Sequence, residues 1–190
     1  VIGFMNNISQ SIDLSLDEER LRNQTIKLGS AKPVLFFSDF HLGDGGHSDL
    51  FSTHDDLFTK VLETRLSRET RVVFLGDFID LPQAWTINRV QAAHSRTFKA
   101  ISRLCKTHKV IFVRGNHDWT VDYEVLFPGS DCCERVLLGD QTLAWHGHQL
   151  DLLRNPVVNC ARIKTCLPSL GERLIGRHLD LPLENHNSWP

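Results

Sequence analysis

Short apolar runs alternate along the chain with longer segments in which apolar residues recur every three or four positions. The runs at 33–39, 71–77 and 109–118 have the length and the content of β-branched and aromatic residues expected for buried strands. The segments at 54–66 and 84–105 have helical spacing. Because strands alternate with helices, the pattern predicts βαβ units on a mostly parallel sheet, and therefore an α/β fold.

The pattern changes towards both ends of the chain. A capping box begins at Ser15, and the segment behind it predicts an N-terminal helix, 15–28, that ends before Gly29. Residues 152–190 mix apolar residues with Arg and Lys at helical spacing and contain several prolines. We therefore expect a core domain over residues 1–151, which includes the N-terminal helix, followed by a C-terminal helical lid-like segment.

The composition is that of a folded protein without a strong charge bias. With 190 residues, 41% of them hydrophobic, the chain can build one domain with a substantial core. The formal net charge of -2 and the scattered basic residues give no strong nucleic-acid signal. No segment approaches the roughly 20 apolar residues of a membrane span. The first ten residues also lack the basic start of a signal peptide. We expect a cytoplasmic protein, and peripheral contact with a membrane stays open.

Each predicted strand is followed by polar residues that can bind a metal ion. In chain order these are Asp39 and His41, then Asp77 and Asp80, then Asn116 and His117, and finally His146 after a fourth apolar stretch. In open α/β sheets the carboxyl ends of the strands line the ligand-binding crevice. We therefore expect the four strand ends to converge on one site.

The types of side chain in this set indicate the class of metal. Carboxylate, amide and imidazole groups together suit Mn²⁺, Fe²⁺ or Zn²⁺, and the absence of thiolates argues against a soft site. The set is larger than one structural ion needs, so two divalent metals are expected. Asp77, at the end of the middle strand, can bridge a metal pair ~4 Å apart. The candidate ligands are Asp39, His41, Asp77, Asn116 and His146.

The ordered motifs D-x-H, G-D-x-x-D, G-N-H-D and a later His-Gly, which lie within residues 33–151, resemble those of the calcineurin-like metallophosphoesterases. The resemblance implies a two-metal phosphoester hydrolase built on a β-sandwich flanked by helices, with a mixed sheet. Manganese is the expected metal, with Fe²⁺ and Zn²⁺ as alternatives. The resemblance also implies that Asp39 and His41 hold the first metal, that Asp77 bridges, and that Asn116 and His146 hold the second.

The same motifs contain the residues expected to move protons. Two cations polarise the phosphate and lower the pKa of the water that they share. His117 directly follows a predicted ligand, and we expect it to protonate the leaving oxygen as a general acid. Asp80, three residues after Asp77, is the expected partner of its protonated form, as in the relatives that the motifs resemble. Gly76 and Gly115 allow the backbone to turn tightly near the metals or the phosphate.

One family feature is absent from the sequence. Relatives usually carry a later Gly-His-x-His that completes both metal shells, and no such motif follows His148. We expect that the natural chain continues past Pro190, that His178 or His186 substitutes, or that the metal shells are incomplete.

The substrate is predicted only by class. The segment after residue 151 resembles the lid that UDP-diacylglucosamine pyrophosphatases place over acyl chains, with apolar surface for lipid and basic groups for phosphate. Those enzymes typically carry Arg where this chain has His117, which is the more general phosphoesterase pattern. We therefore expect a phosphorylated small-molecule or lipid-linked substrate. A nuclease, a serine/threonine protein phosphatase and a non-catalytic scaffold are the alternatives.

Several other reactive side chains have weaker expectations. The 5 cysteines form no Cys-x-x-Cys pair, which predicts free thiols, with Cys132 and Cys133 inert on a loop. His148 and Asp151 follow the last motif and are candidates for contact with the ligands or the substrate. The remaining histidines of the core are expected to be surface or structural residues: His47, His54, His94 and His108.

Overall fold

The computed structural model of the protein describes residues 24–148. Within this range two sheets are present. The larger sheet is entirely parallel, and its order in space is also its order in the chain. Its strands are β2 (Val34–Phe37), β3 (Arg71–Leu75), β4 (Val110–Val113) and β5 (Ser130–Cys133).

The smaller sheet contains parallel and antiparallel pairs. Its middle strand, β6, runs parallel to β1 on one side and antiparallel to β7 on the other. Its strands are β1 (Thr25–Leu28), β6 (Arg135–Leu138) and β7 (Thr142–Ala144). The mixed sheet expected from the family resemblance is thus this smaller one, whereas the larger sheet follows the βαβ pattern.

Helices connect the strands of the larger sheet. Those in the described residues are α1 (Asp55–Thr64), α2 (Leu81–Ala84), α3 (Ile87–Ala93), α4 (Ser95–Leu104) and α5 (Tyr123–Leu126). No helix within residues 24–148 is long and apolar enough to cross a membrane.

Both faces of the larger sheet are covered. Val72 and Phe74 of β3 pack with buried residues of α1 and α4, whereas Val73, between them, packs with Leu28 of β1 and Val136 of β6. Successive side chains of a strand point to opposite faces, so this alternation places helices on one face and the smaller sheet on the other. A strand buried on both faces reads as a continuous apolar run, which explains the sequence pattern. The predicted β-sandwich flanked by helices is confirmed.

Two predicted helices need correction. Residues 25–28, the last part of the predicted helix 15–28, form strand β1, because Ile26 and Leu28 pack with the interior of the sandwich while β1 pairs with β6. Residues 15–23 of that prediction lie outside the described residues, and Gln24 lies in a turn. The predicted helix 84–105 is divided into α3 and α4 at His94, where φ is -109° and ψ is 36°.

Besides β1, strands β5 and β6 were not predicted. Cys132 and Cys133 lie in β5 rather than on a loop, and β6 follows after a single residue. Burial raises the pKa of the Cys133 thiol to about 12, which fits the expected inert thiol. The lid-like segment 152–190 lies outside the described residues.

Candidate metal centre

The D-x-H motif at the end of β2 contains one core residue between two polar residues. The ring of Phe40 packs against the buried Phe78, with centroids 5.7 Å apart. Asp39 and His41, on either side of Phe40, point away from this aromatic core and towards Asp77. The spacing therefore has a packing origin, since the intervening aromatic residue anchors the loop while its neighbours stay at the rim.

Backbone hydrogen bonds continue beyond the last residues of β2 and β3. The N–H of Asp39 donates to the carbonyl of Gly76 at 3.2 Å, and the N–H of His41 donates to the carbonyl of Asp77 at 2.9 Å. The φ angles of Asp39, His41 and Asp77 are positive, at 56°, 49° and 49°. Such conformations cost about 1–3 kcal/mol each for residues other than glycine and cluster at functional sites. Three of the predicted ligands thus have a strained backbone.

Two glycines allow the predicted ligands to approach closely. A Cβ atom added at Gly76, where φ is 81°, would lie 2.2 Å from Cδ2 of His146. One added at Gly115 would lie 2.0 Å from Oδ1 of Asp77. The sequence predicted that these glycines admit metals or phosphate, but the atoms that need the space belong to the chain's own His146 and Asp77.

Asp77 lies at the centre of the predicted ligands. Its carboxylate is almost fully buried, and Oδ2 lies 3.7 Å from Nε2 of His41 and 3.5 Å from Nε2 of His146. Nε2 of His146 also lies 3.3 Å from Oδ1 of Asp39. Ligand atoms of Asp39, His41 and Asp77 lie within 4.8 Å of one another, a spacing at which they can share an ion. The structure therefore brings these four predicted ligands together.

A second group joins His41 to the predicted general acid. The carboxylate of Asp80 places Oδ2 3.3 Å from Nδ1 of His41 and Oδ1 3.0 Å from Nδ1 of His117. Asp80 also caps α2 by accepting the N–H of Gln83. Because Nδ1 of each ring faces Asp80, Nε2 is the nitrogen that each ring can turn to a metal or a substrate. Ligand atoms of these three residues, His41, Asp80 and His117, again lie within 4.8 Å of one another.

The charges of the site favour cations. Burial would raise the pKa of Asp80, but hydrogen bonds from His117 and His41 outweigh it, and the pKa lies well below its usual value. Burial would lower the pKa of His41, yet the hydrogen bond from Asp80 and the charges of Asp77, Asp80 and Asp39 raise it. The carboxylates bring an excess of negative charge, and imidazole nitrogens lie next to them. This combination fits a divalent metal of the Mn²⁺, Fe²⁺ or Zn²⁺ type.

Asn116 and His117 lie on the loop after β4, next to Asp77. The N–H of His117 donates to Oδ1 of Asp77 at 2.9 Å. Asn116 is half-buried between Gly115 and His117, both of which contact or closely approach Asp77. The loop therefore carries the predicted ligand and the predicted acid to the same carboxylate.

His148 contacts the predicted ligand His146. Their Nδ1 atoms lie 3.2 Å apart, so one ring must donate and the other accept. Burial, together with the charge of His146, lowers the pKa of His148. The remaining candidates Asp151, His178 and His186 lie outside the described residues.

Sequence reasoning missed the role of Asp118 in this region. Its side chain is fully buried and accepts three hydrogen bonds, from the N–H groups of Phe78 and Gly115 and from the hydroxyl of Tyr123. Burial raises its pKa above the usual value in spite of these bonds. The signal was present, since Asp118 is the last residue of the G-N-H-D motif.

His94 is structural, and its environment is more specific than the sequence suggested. The ring is buried, with Nε2 2.7 Å from Asp49 and Nδ1 2.7 Å from Asp55. Asp49 also accepts the N–H of Gly45, on the loop that follows His41. The break between α3 and α4 thus places an imidazole between two carboxylates and ties helix α1 to that loop.

A sandwich with carboxylates and imidazoles collected at the ends of its parallel strands is the architecture of a metal-dependent phosphoesterase. Residues 32–184, more than half of the chain, match the family described as calcineurin-like phosphoesterase, and the chain belongs to this family. Its members are in general metal-dependent hydrolases of phosphoesters, so the resemblance carried by the motifs is confirmed. A comparison with curated protein sequences gave no match.

Proposed function

We propose that the protein hydrolyses phosphoester or pyrophosphate bonds with a dinuclear metal centre. The observation that carries this proposal is the position of Asp77. Its buried Oδ2 lies between the Nε2 atoms of His41 and His146, at 3.7 and 3.5 Å. A carboxylate with imidazoles on two sides is suited to bridge two ions.

The residues present fit such a pair of ions. Asp39 and His41 would hold the first, Asp77 would bridge, and Asn116 and His146 would hold the second. Manganese is the proposed metal, with Fe²⁺ and Zn²⁺ as alternatives. When bound, the two cations supply the Lewis-acid activation of the phosphate and of the attacking water.

The chain itself supplies the proton for the leaving oxygen. Asp80 accepts the hydrogen bond from Nδ1 of His117 at 3.0 Å, which fixes the orientation of the ring. Nε2 of His117 is then the nitrogen that donates a proton to the leaving oxygen. The backbone N–H of His117 is held by Asp77, so the acid has a fixed position relative to the proposed bridge.

The proposed substrate is a phosphorylated small molecule or a lipid-linked phosphate, with a nucleotide-linked glycolipid pyrophosphate as one specific form. This proposal depends on the resemblance of residues 152–190 to a lid. A nuclease, a serine/threonine protein phosphatase and a scaffold are the alternatives that an experiment must separate.

The test is a substrate panel on the full chain after loading with Mn²⁺. Bis(p-nitrophenyl) phosphate reports diesterase activity, p-nitrophenyl phosphate reports monoesterase activity, and a UDP-linked glycolipid reports pyrophosphatase activity. Single-stranded DNA and a phosphoserine peptide test the alternatives. We expect metal-dependent turnover of at least one of the first three. A protein that holds two ions per chain and turns over none of the five would contradict the proposal and favour a scaffold.

A further inference from the structure

The carboxylate of Asp118 collects three hydrogen-bond donors from three separate segments. Oδ2 accepts the N–H of Phe78 at 2.8 Å and the hydroxyl of Tyr123 at 2.6 Å, and Oδ1 accepts the N–H of Gly115 at 2.8 Å. The side chain has no exposed surface. Water therefore cannot replace any of these bonds without a change in the fold.

Two of the three donors lie directly next to predicted metal ligands. Phe78 follows Asp77, and Gly115 precedes Asn116. The pairing of β3 with β4 ends at Leu75 and Val113, before either ligand is reached. Beyond these residues the two strands are no longer paired. There the side chain of Asp118 connects the loop after β3 with the loop after β4.

The spacing that Asp118 maintains is tight. The N–H of His117 donates to Oδ1 of Asp77 at 2.9 Å, and Gly115 leaves no room for a Cβ atom beside the same oxygen. A small separation of the two loops would therefore change the distance from Asp77 to Asn116. Because metal affinity depends on the geometry of the ligands, such a change would weaken the site.

We infer that Asp118 is a positioning residue of the metal centre. It sets the distance between the loop that carries Asp77 and the loop that carries Asn116 and His117. This inference rests on the proposed dinuclear function, and Asp118 itself contacts neither metal nor substrate.

Tyr123 provides the matched control. Its ring is fully buried and stacks on Phe112 with centroids 4.1 Å apart, so its position does not depend on the hydroxyl alone. Tyr123→Phe removes one bond to Asp118 but keeps both bonds to the loops. Asp118→Asn replaces one oxygen by an NH₂ group, which must then face a donor. Asp118→Glu keeps both oxygens but lengthens the side chain by one methylene.

The experiment measures Mn²⁺ binding by titration calorimetry and the spin coupling of the bound ions by electron paramagnetic resonance, on variants that circular dichroism shows to be folded. We expect Asp118→Asn and Asp118→Glu to lose about 10- to 100-fold in affinity for at least one ion and to change the coupled signal. Tyr123→Phe should stay within about threefold of wild type in affinity, although its thermal stability falls, because a buried hydrogen bond is lost.

If Asp118→Asn does not fold, Asp118→Glu decides the question, because it keeps the charge and the acceptors. Wild-type affinity and an unchanged signal in a folded Asp118→Glu protein would overturn the inference, as would equal losses in that variant and in Tyr123→Phe. A wild-type protein that binds no Mn²⁺ would instead overturn the proposed function, and this inference with it.

Discussion

Asp80 places Oδ2 of its carboxylate 3.3 Å from Nδ1 of His41, while its other oxygen contacts His117. One carboxylate thus orients both a proposed metal ligand and the proposed general acid. The sequence indicated only the second contact. A residue that orients a ligand affects metal binding as well as proton transfer, so the two roles can be separated by experiment.

Asp80→Asn should therefore weaken metal binding in addition to slowing turnover. The side chain of asparagine has one acceptor oxygen, so it can accept a hydrogen bond from only one of the two rings. It also lacks the negative charge of the carboxylate. We expect a loss of about 10- to 100-fold in Mn²⁺ affinity, measured by calorimetry. An Asp80→Asn protein with wild-type affinity would show that His41 is held without this contact.

His117→Gln should keep both metals and slow turnover by ~10² to 10⁴, as expected for a lost general acid. The defect should be large for an alkoxide leaving group, which needs a proton, and small for p-nitrophenolate, which does not. Rates on the two kinds of ester, with metal content by elemental analysis, provide the measurement. An equal defect on both esters, or metal loss in proportion to activity, would argue against the assignment.

Asp77→Asn should remove metal and activity together, because a bridging carboxylate loses its charge towards two cations at once. We expect fewer than two ions per chain by elemental analysis. Asp140→Asn is the matched control, since Asp140 is exposed in the turn between β6 and β7 and should leave metal content unchanged. An Asp77→Asn protein that still holds two ions would place the bridge elsewhere.

Gly76→Ala tests the close approach of His146. A methyl group there would lie 2.2 Å from the His146 ring, so we expect the loss of at least one metal ion and of most activity. Gly139→Ala is the control: φ is also positive, at 56°, but only Ser30 comes near, at 3.8 Å. It should cost about 1 kcal/mol in stability without affecting metal content. Similar metal loss in both variants would mean that backbone strain, rather than contact with His146, is the cause.

The buried His94 predicts a dependence of stability on pH. Burial would lower its pKa, but the hydrogen bonds and charges of Asp49 and Asp55 outweigh burial and raise it. A raised pKa means that the folded state binds the proton more tightly. The stabilisation is therefore complete below the ordinary value of about 6.5 and is lost as the pH rises through the folded value.

Asp49 has the opposite dependence. Burial would raise its pKa, but His94 and backbone N–H groups lower it. Its contribution is present above about pH 3.9 and is lost as the pH falls through its folded pKa.

Urea unfolding between pH 4 and 9 measures the contribution of His94. The free energy of unfolding should be higher in the wild type than in His94→Gln, and this difference should decrease above neutral pH.

At acidic to neutral pH the loss in His94→Gln should be about 3 kcal/mol, because the buried carboxylate of Asp49 and the partly exposed one of Asp55 both lose their partner. His47→Gln, at an exposed position, is the control and should match wild type throughout. A constant difference between wild type and His94→Gln across this range would contradict a charged imidazole.

The sequence predicted the parts of the fold that depend on local pattern. Strands β3 and β4 are buried on both faces, and the edge strand β2 is half-buried between the same two layers, so all three have recognisable apolar runs. The polar residues after them fall at one edge because the three strands are parallel. The positions of Asp39, His41 and Asp77 follow from that topology. Their ligand roles remain proposals.

The features that were not predicted depend on contacts between distant segments. Strand β1 pairs with β6, whose residues lie far along the chain, and this pairing replaces the local helical pattern at Thr25–Leu28. Asp118 reads as a polar residue after a strand, and only the folded chain shows its three donors. The break at His94 likewise depends on Asp49 and Asp55, from segments earlier in the chain.

The left-handed backbone at Asp39, His41 and Asp77 has a consequence for protein engineering. Glycine adopts such angles without steric cost. Replacing any of the three residues by glycine would therefore relieve backbone strain in the metal-free protein while removing a proposed ligand. Directed evolution that selects for heat resistance alone would therefore favour variants with a more stable scaffold and a damaged active centre. A selection scheme for this enzyme must couple thermal challenge to catalytic turnover in every round.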